Sequence, residues 1–298
     1  MTAAATIAAG LGPAGLRWDP RGHATLSGPL GRLAAACDDA FTSIAAAWDA
    51  EPEEHPAMLA AADLEPVGYL ASFPHLATFA VCLDDAEDNL RDFAGAAPVD
   101  DSGAIRLARL APPREVLTPA ACYHVYVHHR GESLSAPRYI TTRNTCFRRE
   151  AHYEPLRRQW SFRMREVVCL GTREEVAGFL AAARTAAGRL ATDLGLAVEW
   201  EAATDPFFDP AASPQYLAQK LQPTKHEARY GDLALASVNL HEDHFGQAYG
   251  ITRDGDPVTT GCVAFGIERW LCALTDRWGA DPAGWPDVPA QARRPVAS

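Results

Sequence analysis

The sequence offers no run of about 18 uninterrupted apolar residues, which excludes a membrane-spanning helix. It has no C-x-x-C pair. Its seven cysteines, at 37, 82, 122, 146, 169, 262 and 272, are odd in number and widely scattered. That excludes a disulfide framework and a local zinc knuckle, so any metal site has to be assembled from distant parts of the chain. Positive charge is short as well: 27 Lys and Arg against 38 Asp and Glu give a net charge of −11. A protein that binds a polyanion needs clustered basic residues over a broad face, so a tRNA partner is disfavoured. The N-terminal MTAAATIAAGLGPAGLRW lacks a basic leader and a bulky apolar centre, and Gly10, Gly12 and Pro13 interrupt it. It reads as a loose cytoplasmic start. There is no internal repeat.

What is present is ordinary globular material. At 298 residues and 48% hydrophobic composition the chain can bury a large core, as one domain or two. Leu33, Cys37, Phe41, Ile44, Ala45 and Trp48 recur at helical spacing, which predicts an amphipathic helix that Pro52 to Pro56 stop. APPREVLTP predicts a boundary near residue 110, with an N-terminal α/β subdomain over 1–110. Beyond it, CYHVYVHHRG, RYITTRNTCFRRE and WSFRMREVVCLG read as strands rich in Tyr, Val, Thr and Phe. Thr172 and Glu175 form a capping box for a helix with an apolar stripe of Val176, Phe179, Leu180, Ala183, Ala187 and Leu190, closed by Gly195. LAVEWEAATDPFF reads as strand then loop, LALASVNLHED and GCVAFG as strands, and ERWLCALTDRWG as a closing helix. The succession predicts an α+β domain with an antiparallel sheet over 111–285, and a disordered tail over 286–298.

One stretch stands apart. FRREAHYEPLRRQWSFRMREVV, residues 147–168, holds six arginines and three glutamates in an acidic protein. Arginine forks bind phosphate and carboxylate in planar, bidentate fashion, so the stretch is either a site for a phosphorylated ligand or a solvated charged hairpin. Strand alternation places Arg148 and Glu150 on one face. On a return strand Phe162, Met164 and Glu166 share a face, while Arg163 and Arg165 point away.

FRREA followed by a polar loop and FRMREVV resembles motif 2 of the class II aminoacyl-tRNA synthetase core, and GCVAFGIERW resembles motif 3. YLASFPHL, ACYHVY, SFRMREVVCLGT, TDPFF, ASVNLHEDHFG and TGCVAFGIERW, spread in order over residues 65–285, resemble a narrower family. These are the amino acid:[carrier protein] ligases, relatives of the zinc-dependent archaeal seryl-tRNA synthetases.

The resemblance implies a class II synthetase-like fold: an antiparallel sheet flanked by helices, working as a homodimer in the cytoplasm. It implies ATP contacts from Arg148 (α-phosphate), Glu150 (adenine amino group), Phe162 (adenine stacking) and Arg269 (γ-phosphate), with Arg148 and Arg269 catalytic. It implies a zinc ion held by Cys122, Glu166 and Cys262, with a position left for the substrate amino group. Ser237, Asn239 and His241 are then substrate contacts. Mg²⁺ is implied with ATP, and because Leu233 and Leu235 occupy positions where class II strands often present an acid, Glu227 or Asp232 are the candidate ligands. His124, His128 and His129 read as structural or exposed. Arg157 and Arg158 fall in the motif 2 loop, facing either a phosphate or thiol partner or solvent.

The implied reaction is ATP-dependent activation of a small amino acid, glycine, alanine or serine, and its transfer to the phosphopantetheine thiol of a carrier protein, without tRNA or membrane. The alternatives are a seryl-tRNA synthetase, which needs a long helical arm, and a non-catalytic paralogue that binds amino acids or nucleotides.

Overall fold

The computed structural model describes residues 7, 9–106, 108–211 and 214–288, so most of the tail expected to be disordered, residues 289–298, lies outside the described residues. Its centre is a seven-stranded sheet. The strands are β1 (Glu51–Glu53), β2 (Arg138–Phe147), β3 (Ser161–Gly171), β4 (Glu199–Ala203), β5 (Lys225–Tyr230), β6 (Leu233–Glu242) and β7 (Thr259–Gly266), in the spatial order β4-β5-β6-β7-β3-β2-β1. All neighbours are antiparallel except the edge pair β1 and β2, which is parallel.

The sheet has two different faces because side chains alternate along each strand. Val167 and Cys169 of β3, with Val263 and Phe265 of β7, point to the helical side. There α1 (Gly28–Ala45), α3 (Arg173–Asp193) and α4 (Ile267–Trp278) cover them. Phe41 of α1 stacks on Phe265 at 4.4 Å between ring centroids and meets Trp270 of α4 edge-on at 5.2 Å. Burying a phenylalanine completely stabilises the fold by roughly 1.5–3 kcal/mol, so this trio anchors both helices to the sheet. Thr172 and Glu175 form the capping box at the start of α3. Gly195, at φ +76°, follows the end of that helix. Gly261 permits the close approach of α3: a Cβ there would lie 2.8 Å from Val176 and 3.1 Å from Leu180. No helix of the described residues is long and apolar enough to cross a membrane.

Three expectations need correction or qualification. Residues 123–128, rich in Tyr and Val, form a helix, α2 (Tyr123–His128), rather than a strand. Tyr126 stacks on Phe245 at 4.0 Å, and Val125 and Tyr126 are fully buried, so packing overrides β-propensity. The N-terminal start is not loose throughout: Leu11 and Leu16 join the main core, and Leu16–Asp19 pairs with His23–Leu26 in a hairpin. Apolar burial and the bond from Trp160 N–H to Gly22 O (3.0 Å) hold it in place. A small sheet also runs across the expected boundary near residue 110, joining Met58–Ala60 and Phe79–Ala80 to Glu115–Leu117.

Candidate active site

The other face of the sheet floors a cavity of about 580 Å³. Phe162, Met164 and Glu166 reach it from β3, Cys262 and Ala264 from β7, Ser237 and Asn239 from β6, and Lys225 and Glu227 from β5. The register makes them neighbours: Asn239 is opposite Cys262 and Ser237 is opposite Ala264, while Glu166 is opposite Ala264 from the other side. Arg163 and Arg165 point away, as alternation requires. Arg163 donates to Glu268 at 2.9 Å, and Arg165 grips buried Asp38 with two bonds of 2.7 and 2.8 Å. Two of the six arginines in the charged stretch are therefore structural.

At one end of the cavity Cys122, Glu166 and Cys262 meet, with a ligand atom from each within 4.8 Å of the others and all three residues buried. Cys122 arrives just ahead of α2, and Glu166 Oε1 accepts from the N–H groups of Ala121 (2.9 Å) and Cys122 (3.3 Å). That fixes one carboxylate oxygen and leaves the other for the cluster. Asn239 donates to Cys262 Sγ at 3.4 Å and to Ser237 Oγ at 3.1 Å. The Cys122 thiol is pushed well up by its hydrogen bond with Cys262, by burial and by the Glu166 charge. Three acidic groups packed out of water stay together only by keeping protons or by sharing a cation. Two thiolates and a carboxylate are a donor set that fits zinc, with a fourth tetrahedral position left over.

At the other end lie the residues expected to hold ATP. Arg148 donates to Pro119 O at 2.9 Å, and its guanidinium sits 5.4 Å from the centre of the Phe162 ring. Glu150 pairs with Arg158 at 2.5 Å. Arg269 donates to the carbonyls of Arg157 (3.1 Å) and Ala234 (3.3 Å). Burial, and then the nearby Arg148 charge, pull the Arg269 guanidinium below its ordinary value. Two guanidiniums held this way have the chemistry to bind a polyanion.

His241 also lines the cavity, with Nδ1 3.3 Å from Tyr126 Oη and Nε2 3.9 Å from Cys262 Sγ. The residues expected to hold ATP, zinc and the substrate thus all border one cavity. Of the two acids considered for Mg²⁺, Glu227 is on the cavity wall, whereas exposed Asp232 ion-pairs with Arg157 in the loop between β2 and β3. Arg158 lines the cavity through its pair with Glu150.

Sequence reasoning missed the wall opposite the sheet. Tyr69, Phe73, Asp205 and Phe207 close that side; Phe73 stacks on Phe207 at 5.0 Å, and Asp205 accepts from Lys225 at 2.8 Å. The signal lay in YLASFPHL and TDPFF, whose aromatic and acidic residues have no periodic partner in their own segments.

No family model matches the chain. It is 37% identical over 240 residues to amino acid–[acyl-carrier-protein] ligase 1 of Bradyrhizobium diazoefficiens, which covers 78% of this chain and 72% of that protein. It is also 37% identical over 242 residues to ligase 2 of the same organism, covering 78% and 71%. A type-2 serine–tRNA ligase of Methanococcus maripaludis is 27% identical over 195 residues, 60% of this chain and 38% of that one. Among solved structures, M. kandleri SerRS in complex with A. aeolicus tRNASec superposes with a TM-score of 0.77 at 20% identity. The match covers 93% of this chain and 57% of the other, and at that identity it shows a shared fold.

Proposed function

Because the chain belongs to the amino acid–[acyl-carrier-protein] ligase family, we propose that it activates a small amino acid with ATP and transfers it to a phosphopantetheine thiol on a carrier protein. The observation that carries this reading is that the Cys122, Glu166 and Cys262 cluster and the pair Arg148 and Arg269 open into the same cavity. An amine-binding end and a polyphosphate-binding end are what aminoacyl-adenylate formation requires.

In the first step a carboxylate oxygen of the amino acid attacks the α-phosphorus of ATP, and the bond to pyrophosphate breaks. Arg148 faces the α-phosphate, where negative charge builds up in the transition state, and Arg269 holds the outer phosphates in a bent arrangement. Both guanidiniums are braced by backbone carbonyls, so little reorganisation is needed as charge develops. Phe162 offers a platform for adenine, and Glu150 accepts from its amino group. Mg²⁺ accompanies the triphosphate, with Glu227 the acid on the cavity wall.

Cys122, Glu166 and Cys262 hold zinc, which when bound supplies a Lewis-acid position for the free amine of the substrate. Ser237, Asn239 and His241 border the substrate beside it. In the second step the carrier thiolate attacks the activated carbonyl carbon, the thioester forms and AMP leaves. The working unit is a cytoplasmic homodimer that needs no tRNA, a reading supported by the class II resemblance and the acidic charge balance.

Pyrophosphate exchange with a panel of amino acids tests the first step. The expected result is exchange with glycine, alanine or serine; no exchange with any amino acid ends the proposal. Parallel loading of a phosphopantetheinylated carrier and of tRNA tests the second, with label expected on the carrier.

A further inference from the structure

Four of the chain's ten histidines gather outside the cavity lining: His124 and His128 on α2, His129 directly after it, and His55 just beyond edge strand β1. The His55 ring lies 5.2 Å from His124 and 6.1 Å from His128, and His128 lies 4.8 Å from His129. Glu53 stands among them. Glu53, His128 and His129 each present a ligand atom within 4.8 Å of the other two.

The arrangement within this group is that of ligands. Glu53 Oε1 is 2.7 Å from His129 Nε2. Its Oε2 faces His55 Nε2 at 2.9 Å, and both atoms are buried. His55 is a side chain nine-tenths buried, with its ring nitrogen held against that carboxylate. On its far side His129 Nδ1 faces Glu132 Oε1 at 2.9 Å; Arg138 Nη1 lies 2.7 Å from that nitrogen and 2.6 Å from Glu132 Oε2. A carboxylate behind one ring nitrogen is the usual device that orients the other toward a metal. His124 is not part of the set, because its Nε2 is engaged with Thr118 Oγ1 at 3.0 Å.

We propose that Glu53, His128 and His129, with His55 on the second oxygen of Glu53, bind a divalent transition-metal cation at a site separate from the cavity. Imidazole and carboxylate donors without thiolate suit zinc, cobalt or nickel rather than calcium or magnesium. The site joins edge strand β1 to the C-terminal end of α2, the short helix whose other end carries Cys122. A cation there holds a cavity ligand in place from behind, and its role is structural.

The test uses the full chain with Cys122→Ser and Cys262→Ser, which lacks the thiolates of the cavity, so it is independent of the zinc assigned there. The protein is stripped with chelator and titrated calorimetrically with Zn²⁺, with bound metal counted after gel filtration and folding checked by circular dichroism. One equivalent is expected to remain, and it should disappear when His128→Ala and His129→Ala are added. Glu132→Gln should weaken binding about 10- to 100-fold without removing a ligand. A folded thiolate-free protein that takes up no zinc, or one whose uptake survives loss of both histidines, overturns the proposal and leaves a plain Glu53–His129 ion pair. Should the thiolate-free protein fail to fold, His128→Ala in the otherwise unaltered chain decides. His128 is exposed, and the metal count should fall by one equivalent; an unchanged count overturns the proposal.

Discussion

The amide of Asn239 donates to the sulfur of Cys262 at 3.4 Å, across the register position where β6 and β7 set these two residues opposite each other. A donor aimed at a sulfur favours the thiolate over the thiol; the Cys122 hydrogen bond acts the same way, while burial and Glu166 push the other way and leave the Cys262 thiol above its ordinary value. This residue and its strand partner therefore carry the most direct test of the cavity's metal.

Cys262→Ala is expected to lose the cavity zinc and to lower amino-acid-dependent pyrophosphate exchange by more than about 100-fold. Asn239→Ala keeps all three ligands and should weaken zinc about 10- to 100-fold. Metal content by mass spectrometry checks both. Full zinc and full exchange in Cys262→Ala would contradict the assignment.

Arg269→Ala removes one of the two guanidiniums proposed to hold the triphosphate. The expected cost is a factor of roughly 10²–10³ in kcat for exchange, the usual loss on removing a preorganised donor. Zinc content should stay unchanged. A variant with normal turnover would show that the triphosphate lies elsewhere.

Lys225→Met tests the far wall. Burial raises the Asp205 carboxyl, but the Lys225 charge and hydrogen bond, with Gln219, more than offset this and hold it below its ordinary value. In the native chain Asp205 thus adds stability above about pH 4, its unfolded range, and that stability is lost as pH falls through the lower folded value. Without Lys225 the carboxylate loses its main favourable partner, so the carboxyl titrates higher than in the native chain and its contribution above about pH 4 shrinks. Melting curves from pH 3 to 7 should show the variant losing ground to the native chain as pH increases. Parallel curves would refute the coupling.

Gly261→Ala places a methyl group 2.8 Å from Val176, 3.0 Å from Asn239 O and 3.1 Å from Leu180. Overpacking of this kind costs about 1–3 kcal/mol, and here it also displaces the neighbour of Cys262. Denaturant unfolding should show the loss, together with weaker zinc retention. An alanine variant as stable as the native chain would mean that α3 can move away from β7 freely.

Much of the sheet and its helices was readable along the chain because the relevant contacts repeat at a fixed period. The parity that sends Phe162, Met164 and Glu166 to the cavity also sends Arg163 to Glu268 and Arg165 to Asp38. The capping box at Thr172 and the stripe from Val176 to Leu190 are of the same kind. α2 was not readable, since its Tyr and Val residues favour a strand until Phe245 is set against Tyr126. Nor was the partnership of Asp205 with Lys225, or of Glu53 with His129, 20 and 76 residues apart in the chain.

By itself the sequence determined the amphipathic faces, the strand alternation and the family motifs, because each of these is written in residues a few positions apart. Tertiary structure alone decided that Cys122, Glu166 and Cys262 meet, that two guanidiniums face the same cavity, and that His55, His128 and His129 converge on Glu53. The physical reason is that charges and ligand atoms act across angstroms of space. Those distances follow only from the packing of the whole sheet against its helices.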